Sequence, residues 1–194
     1  MRMEDQEQRW VQQARAGDQA AFAALVEAYQ KPVYNLAYRM LGSNAEADDA
    51  AQETFIRMYT RLHTYDPERK FSSWLLAIAS HYCIDMLRRR RINWASIDDL
   101  PPMIELAMPH AEQPEQVMLY AQSSGKVQAL LDTLEPAYRV PVILRYWYDM
   151  SYKEIADAMD VTESTIKTRL HRARSKLACE IQDDCYDLAQ PATL

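Results

Sequence analysis

The chain has 194 residues, 48% of them hydrophobic, and a formal net charge of −6 at pH 7. This length suits one domain or two small ones, and the apolar fraction is sufficient to build their cores. The sequence has no apolar stretch near the roughly 20 residues that cross a bilayer, and its acidic, polar start is unlike a signal peptide. We therefore expect a cytoplasmic protein with no membrane insertion, and the negative net charge argues against a generic nucleic-acid coat.

The glycine and β-branched content indicates the fold class, and the cysteines indicate whether disulfides or a metal site are expected. Only three glycines occur and runs of β-branched residues are nearly absent, which predicts an all-α protein. Cys83, Cys179 and Cys185 are odd in number and widely separated, so we do not expect a disulfide framework. His171 with the last two cysteines is a weak candidate for a metal site, because no Cys-x-x-Cys pair is present. We favour free thiols and expect neither a metal nor a cofactor.

Charge alternates strongly along the chain. Residues 57–91 carry eight basic and three acidic groups, whereas residues 92–135 carry one basic and seven acidic groups. Residues 163–177 carry five basic groups and one acidic group. Basic blocks separated by an acidic one predict two places that touch nucleic acid, joined by a segment that avoids phosphate or imitates it.

Three core helices are predicted before residue 63. Asp18 is a suitable N-cap for the first, while Pro32 marks the start of the second and Gly42 its end. Ser43 and Glu46 form a capping box for the third helix. The side chains that this third helix is expected to bury are Ala47, Ala51, Phe55, Met58, Tyr59 and Leu62.

The polar side of the third helix carries a group of carboxylates and one amide. Its members are Asp48, Asp49, Gln52 and Glu53. Paired carboxylates serve in acid–base catalysis and in metal binding, but no histidine or further carboxylate lies in the same register. We favour a surface that docks on a basic partner. The alternative is that acids near a helix N-terminus only favour the helix dipole.

Residues 63–71 read His-Thr-Tyr-Asp-Pro-Glu-Arg-Lys-Phe, a loop in which aromatic and basic side chains lie together and Pro67 opposes a helix. The next helix, predicted from Ser73 to about Arg91, has aromatic and basic residues on one side. The residues along this side are Trp74, Ile78, His81, Tyr82, Asp85, Arg88 and Arg89. Such a surface can stack on bases and follow the phosphates of a single strand. Alternatively, the aromatic residues belong to the core and the arginines form a solvated helix end.

Residues 93–122 lose helical periodicity and contain four prolines and five acidic residues. We predict a linker there, extended or disordered when alone. A helix from about Pro114 through Leu134 is predicted to enter a second domain. After Leu177 the last helix is expected to fray into an acidic tail.

The last third of the chain predicts three helices and a sharp turn. Pro136 fits the first turn of one helix, behind an acidic residue. Ser151 and Glu154 form a capping box for the next. Asp160 tolerates left-handed backbone angles where the chain must turn, and Thr162 can cap the last helix.

That last helix has an apolar side and a polar, basic side. Its apolar residues, Ile166, Leu170, Ala173 and Leu177, fall in one narrow sector when placed at about 100° intervals. Short polar side chains near its start, with cations around them, suit entry into a DNA major groove. The pattern predicts a helix-turn-helix, with Ser151–Met159 as supporting helix and Glu163–Leu177 as recognition helix. A solvated basic face on an ordinary helical hairpin is the alternative.

Three motifs, in this order, resemble those of the extracytoplasmic-function (ECF) sigma factors of bacterial RNA polymerase. Residues 47–55, Ala-Asp-Asp-Ala-Ala-Gln-Glu-Thr-Phe, are similar to the family's core-polymerase-binding motif. Residues 70–79, Lys-Phe-Ser-Ser-Trp-Leu-Leu-Ala-Ile-Ala, are similar to its promoter-melting segment. Residues 151–156 together with 169–174 look like its upstream-element reader. The likeness extends from about Asp18 to Leu177 and leaves out only the linker.

The resemblance implies two small helical domains with assigned contacts. It divides the chain into residues 1–92 for polymerase binding and the minus-10 element, 93–122 as linker, 123–178 for the minus-35 element and 179–194 as a short acidic tail. The residues implied to bind polymerase are Asp48, Asp49, Gln52 and Glu53. Those implied to hold minus-10 DNA are His63, Tyr65, Lys70, Phe71, Trp74, His81, Arg88 and Arg89. Those implied to contact minus-35 DNA are Arg145, Ser164, Thr165, Lys167, Thr168, Arg169, His171, Arg172 and Arg174.

The implied function is to bind core RNA polymerase, direct it to promoter DNA and melt the minus-10 region. The polymerase makes the phosphodiester bonds, so we expect no catalytic residue and no enzyme activity in this chain. The resemblance also implies an anti-sigma factor as partner. One departure falls in the melting element, where the family's usual Ile-Ala-Arg-Asn is Ile-Ala-Ser-His at residues 78–81. The main alternative is a stand-alone helix-turn-helix repressor or response regulator, which fits the long acidic linker poorly.

Overall fold

The computed structural model describes residues 3–95 and 125–187. All regular structure within these two ranges is helical, so the predicted all-α fold is confirmed. The helices before residue 96 build one compact unit, and the helices after residue 124 supply the body of a second. Most of the predicted linker lies outside the described residues, as does the start of the helix predicted from Pro114.

The first unit contains helices α1 to α4 and a short 3-10 turn. Their bounds are Met3–Arg15 for α1, Gln19–Leu41 for α2, Asn44–Arg61 for α3, Leu62–Thr64 for the 3-10 turn and Phe71–Ala95 for α4. The later helices are α5, described from residue 125 to 132, α6 Pro136–Trp147, α7 Tyr152–Met159 and α8 Glu163–Asp187.

Side chains cap α2 and α3 as the sequence predicts. Asp18 Oδ1 accepts from the backbone N–H groups of Ala20 (2.8 Å) and Ala21 (3.2 Å). Ser43 Oγ accepts from the Glu46 N–H at 3.5 Å, and Gly42 ends α2 with a φ of 74°. That left-handed angle favours glycine, which has no Cβ to clash.

The prediction that Pro32 starts a new helix is wrong, because α2 runs through it without a break. A proline inside a helix removes one backbone hydrogen bond and costs about 3 kcal/mol. Leu25 before the proline, and Val33 and Leu36 after it, are all fully buried. Burial of each such side chain contributes about 1.5–3 kcal/mol, so the shared core offsets the defect. Helix α1, in which nine of the thirteen residues are polar, was not predicted.

The buried face of α3 is rotated relative to the predicted one. Tyr59, predicted to be buried, is 67% exposed, whereas Thr54 is fully buried. Thr54 Oγ1 donates to the Ala50 carbonyl at 2.7 Å, which satisfies the hydroxyl inside the core. The Tyr59 ring packs edge-to-face on Phe22, with ring centroids 5.2 Å apart. The small Ala50 and Thr54 therefore face the core where larger side chains were expected.

The cores of the two units are built from aliphatic side chains, with few polar groups. In the first unit, Cys83 is buried, and burial raises the pKa of its thiol to about 12. This thiol therefore stays protonated near neutral pH. In the second unit, Arg139 is buried and ties α5 to α6. Its Nη1 lies 2.9 Å from Asp132 Oδ1, and its Nη2 donates to the carbonyls of Asp132 (3.1 Å) and Leu134 (3.2 Å).

The turn between α7 and α8 has the predicted helix-turn-helix chemistry. Ser151 and Glu154 bond reciprocally, with Ser151 N–H donating to Glu154 Oε2 (2.8 Å) and Glu154 N–H donating to Ser151 Oγ (3.2 Å). Asp160 has a φ of 53°. Thr162 Oγ1 accepts from the Thr165 N–H at 3.2 Å and so caps α8. These local predictions are confirmed.

Helix α8 was predicted to fray after Leu177. This prediction is wrong, because the helix continues to Asp187. Residues 178–181 are Ala-Cys-Glu-Ile, and the alanine and glutamate have high helix propensity. The proposed boundary between residues 178 and 179 therefore falls inside a helix, as the boundary between residues 92 and 93 falls inside α4.

Residues 3–95 and 125–187 contain no candidate membrane-spanning helix and no candidate metal-binding cluster. None of their helices is both long and apolar enough to traverse a lipid bilayer. Groups of three or more His, Cys, Asp or Glu side chains arranged to hold a metal ion are also absent from these ranges.

Arg90 offers a test of how α4 is joined to the start of α3. Its Nε donates to Glu46 Oε1 (2.9 Å) and its Nη1 donates to the Leu41 carbonyl (3.4 Å). We expect Arg90→Ala to lower the free energy of unfolding by about 1–3 kcal/mol, because the half-buried carboxylate loses a charge-assisted partner. The matched control is Arg89→Ala, at an exposed position, with an expected change under about 0.5 kcal/mol. Urea denaturation of the full chain measures both, and equal losses would contradict the assignment.

Asp160 offers a test of the turn before α8. We expect Asp160→Ala to lower the free energy of unfolding by about 1 kcal/mol, because alanine is strained at positive φ. Asp160→Gly should be at least as stable as the alanine variant, since glycine adopts this angle without a steric penalty. Lys153→Ala, an exposed change on α7, is the control. Thermal unfolding compares the variants, and a glycine variant less stable than the alanine variant would count against the strain.

Candidate nucleic-acid and partner interfaces

The carboxylate group of α3 is divided by its contacts. Asp48, Asp49 and Gln52 are exposed. Glu53 is half-buried and accepts from Arg57 Nε at 2.8 Å, which neutralises its charge locally. The guanidinium of Arg57 also lies 4.7 Å from the centroid of the Tyr82 ring on α4. Glu53 thus helps to join α3 to α4, and the solvent-facing negative charge is concentrated on the two aspartates.

Two large apolar side chains continue this surface along α3. Ile56 is 59% exposed and Tyr59 is 67% exposed. They follow Asp48 and Gln52 at spacings that keep all four within one side of a helix. We call the surface formed by Asp48, Asp49, Gln52, Ile56 and Tyr59 the α3 docking face. The sequence analysis missed its apolar part, although apolar residues beside exposed acids were the available signal.

The segment from Leu62 to Lys70 is held by its own hydrogen bonds. Leu62 is buried, and the Tyr65 hydroxyl donates to the Arg69 carbonyl. Asp66 Oδ1 accepts from the Glu68 N–H at 3.0 Å, and the Asp66 carbonyl accepts from the Arg69 N–H at 3.1 Å. We call residues 62–70 the α3–α4 loop. Its backbone is fixed locally even though most of its side chains are exposed.

An aromatic cluster lies beneath this loop. Phe71 is 2% exposed and Tyr65 is 6% exposed. The Phe71 ring packs on Tyr29 (5.4 Å between centroids), Tyr65 (5.4 Å) and Trp74 (5.6 Å). Burial raises the pKa of Tyr65, and nearby Glu7 raises it further. These positions do not fit direct base contact by Tyr65 and Phe71, because their rings are already covered by protein.

The remaining candidates for the minus-10 element are accessible. His63, Lys70, His81, Arg88 and Arg89 are exposed, and Trp74 is half-buried. Arg90, in the same arginine run, is instead bound to Glu46. The surface around the loop and the outer side of α4 therefore presents cations and part of one indole ring.

The α8 candidates divide into an exposed set and a partly covered set. Exposed are Ser164, Lys167, Thr168, His171, Arg172 and Arg174; half-buried are Thr165 and Arg169. Ile166, Leu170 and Ala173 are buried on the opposite side, as predicted. Thr168 Oγ1 donates to the Ser164 carbonyl at 3.0 Å. The polar, basic side of α8 is thus open to solvent.

Arg145 has a structural position that the sequence did not indicate. Its Nη1 donates to the Met150 carbonyl at 2.9 Å and lies 3.3 Å from Asp149 Oδ1. Its guanidinium also lies 5.7 Å from the centroid of the Tyr152 ring. Arg145 therefore binds the turn between α6 and α7, where Asp149 has a φ of 48°.

A shallow pocket lies where α6 meets the start of α8. It is lined by Tyr138, Ser164, Thr165, Thr168, Arg169 and Arg172. Arg172 Nη1 donates to the Tyr138 hydroxyl at 3.5 Å. The sequence analysis missed Tyr138, because only the packing of α6 on α8 brings it to the recognition helix. Hydroxyl groups and two guanidinium groups together suit a phosphate or a base edge.

Comparisons with known proteins agree with this arrangement. The family models described as Sigma-70 region 2 and Sigma-70, region 4 match residues 25–92 and 124–177. The ECF RNA polymerase sigma factor SigW of Bacillus subtilis (strain 168) is 35% identical over 179 residues, which cover 89% of this chain and 95% of that protein.

Two solved structures share the fold. CnrH, in complex with the cytosolic domain of CnrY, has a TM-score of 0.70 at 23% identity, with 92% of this chain and 99% of that chain covered. The sigma factor RpoE of Bartonella quintana, in complex with the anti-sigma factor NepR, has a TM-score of 0.66 at 18% identity, with 83% and 96% covered. Family models and sequence identity thus agree with the fold: the chain belongs to the ECF RNA polymerase sigma factors, which direct RNA polymerase to promoters and allow transcription to begin.

Proposed function

We propose that this sigma factor works through three separate surfaces, each on a helix whose other side is buried. The α3 docking face binds core RNA polymerase, the α3–α4 loop and outer α4 hold minus-10 DNA, and α8 reads minus-35 DNA. The observation that carries the proposal is the open polar side of α8 behind a capped helix-turn-helix, with five basic residues between 163 and 177. Family membership decides against the alternative of a stand-alone repressor.

The α3 docking face combines charge with apolar area. Asp48 and Asp49 offer carboxylates to a basic partner, and charge complementarity of this kind speeds encounter and fixes orientation. Ile56 and Tyr59 add the apolar contact that an interface centre needs. Glu53 contributes less directly, because it is paired with Arg57. We therefore assign it to the support of the face.

For minus-10 DNA we assign contact to His63, Lys70, Trp74, His81, Arg88 and Arg89. Stacking of a base on an aromatic ring contributes about 1–3 kcal/mol, which helps offset the unstacking of a melted strand. The half-buried Trp74 has a partly accessible ring for this purpose. Tyr65 and Phe71, which are buried, support the loop from below. The chain departs from the family motif at Ser80 and His81. Ser80 is buried, so of these two residues only His81 faces solvent.

For minus-35 DNA we assign base or phosphate contact to the open side of α8. The residues are Ser164, Thr165, Lys167, Thr168, Arg169, His171, Arg172 and Arg174, with Tyr138 added from α6. Arg145 fixes the turn between α6 and α7 and supports the domain from there. Residues 1–92 form the proposed polymerase and minus-10 segment, whose last residues lie inside α4, and residues 123–178 form the proposed minus-35 segment.

The proposal extends to partners and location. The chain itself breaks no covalent bond, and the polymerase performs the chemistry. It acts in the cytoplasm, where promoter DNA and polymerase are found. An anti-sigma factor is a further proposed partner, supported by the Bartonella quintana sigma factor, which was solved with the anti-sigma factor NepR.

Run-off transcription with purified core polymerase tests the function. We expect the chain to start transcription at promoters selected from a random library. The double variant Asp48→Asn/Asp49→Asn should bind core polymerase about ten-fold more weakly, because it removes two interfacial charges. Glu27→Gln, an exposed change on α2, is the control. If the wild-type chain yields no transcript, the function is refuted; if the double variant binds core normally, only the docking face is refuted.

Titration of labelled minus-35 duplex with reconstituted holoenzyme, at fixed salt, tests α8. We expect Arg172→Ala to weaken binding by about 1–3 kcal/mol and Tyr138→Phe to weaken it less, since only one hydroxyl is lost. Lys126→Ala, an exposed change on α5, is the control, because it also removes one positive charge but lies outside α8. An Arg172→Ala holoenzyme that binds as tightly as the control would remove Arg172 from the interface.

A further inference from the structure

Helix α1 lies outside the region-2 family match, which begins at residue 25. It nevertheless touches the α3–α4 loop directly. Arg15, in the last turn of α1, donates from Nη2 to the His63 carbonyl at 3.4 Å. A guanidinium bound to a backbone carbonyl restrains the path of the loop, whatever the side chain at that position does.

A second connection runs from α1 to the aromatic cluster. The Tyr29 hydroxyl donates to Glu7 of α1, and the Tyr29 ring packs on Phe71. Burial raises the pKa of Tyr29, and its bond to Glu7 raises it further, so the phenol stays a donor. Phe71 in turn packs on Tyr65, whose hydroxyl is bound to the loop at Arg69. Helix α1 is thus connected to the loop through rings that pack edge to face.

Between these two connections α1 and the loop are separated by a cleft. Gln8 and Gln12 line it from α1, and Pro67 and Glu68 line it from the loop. The loop's own hydrogen bonds fix its local backbone, and the bond from Arg15 adds a direct tie between the loop and α1. Val11 is buried and anchors α1 itself.

We infer that α1 is a brace for single-strand capture, in which Arg15 and Glu7 are positioning residues that hold the α3–α4 loop in its DNA-binding shape. This inference rests on the proposed assignment of the loop to minus-10 DNA. A loop ordered before it meets DNA does not lose that freedom on binding, so the brace raises affinity without touching the strand.

The test compares holoenzymes made with full-length variants. Arg15→Ala should accelerate amide hydrogen exchange in residues 62–70. It should also weaken binding of a fork promoter with a single-stranded minus-10 region by about three- to ten-fold, the effect of one hydrogen bond. Core-polymerase affinity and duplex minus-35 affinity should stay unchanged. Arg15→Lys, which keeps a cationic donor, should restore part of the loss, and Gln13→Ala, exposed on α1, should behave as wild type. Glu7→Gln should act like a milder Arg15→Ala.

The outcomes separate this inference from the function on which it rests. Unchanged exchange in residues 62–70 of Arg15→Ala overturns the brace, whatever happens to DNA binding. Faster exchange with unchanged fork binding overturns it as well. In that case the variant His63→Ala shows whether the loop binds DNA at all, because it removes the His63 side chain but leaves the His63 carbonyl and its bond to Arg15 in place. If His63→Ala weakens fork binding, the loop still binds DNA; if it has no effect, the minus-10 assignment of the loop at His63 has failed too.

Discussion

The starts of the helices are the constraint on which the α3 docking face and the open side of α8 depend. Side chains accept the first free backbone N–H groups of four helices: Asp18 for α2, Ser43 for α3, Ser151 for α7 and Thr162 for α8. Because a cap fixes where a helix begins, it helps to set which residues turn toward the core and which toward solvent. The exposure of Asp48 on α3 and of Lys167 on α8 depends on this choice of starting residue.

The same locality explains what the sequence could predict. A capping box involves four consecutive residues and a left-handed turn involves one. The roles of Ser151, Glu154 and Asp160 could therefore be predicted from the sequence immediately around them. The apolar sector of α8 was correct for the same reason, since Ile166 and Leu170 lie one helical turn apart. Fold class and helix-turn-helix followed from these local rules, and family membership was available from three short motifs.

Predictions failed where the deciding partner lies far along the chain. Tyr59 was expected in the core, but it packs on Phe22 at the surface. Pro32 was expected to begin a helix, but a shared core carries α2 through it. Tyr138 was not identified, because it reaches Arg172 only through the packing of α6 on α8. Each case needed tertiary packing that helix periodicity does not contain. The sequence therefore predicts which side of a helix is exposed better than it predicts the individual contacts of each site residue.

The buried aromatic cluster has a consequence for how a promoter is held. With Tyr65 and Phe71 covered, the proposed minus-10 surface offers two half-buried rings, Trp74 and Tyr82, and several cations, which limits the stacking energy available to it. Cations on phosphates add affinity that falls with salt and carries no sequence information. Strong, specific binding must then come from joining two modest contacts on one polymerase, where the second contact becomes intramolecular. We therefore expect this sigma factor to be selective only as part of the holoenzyme.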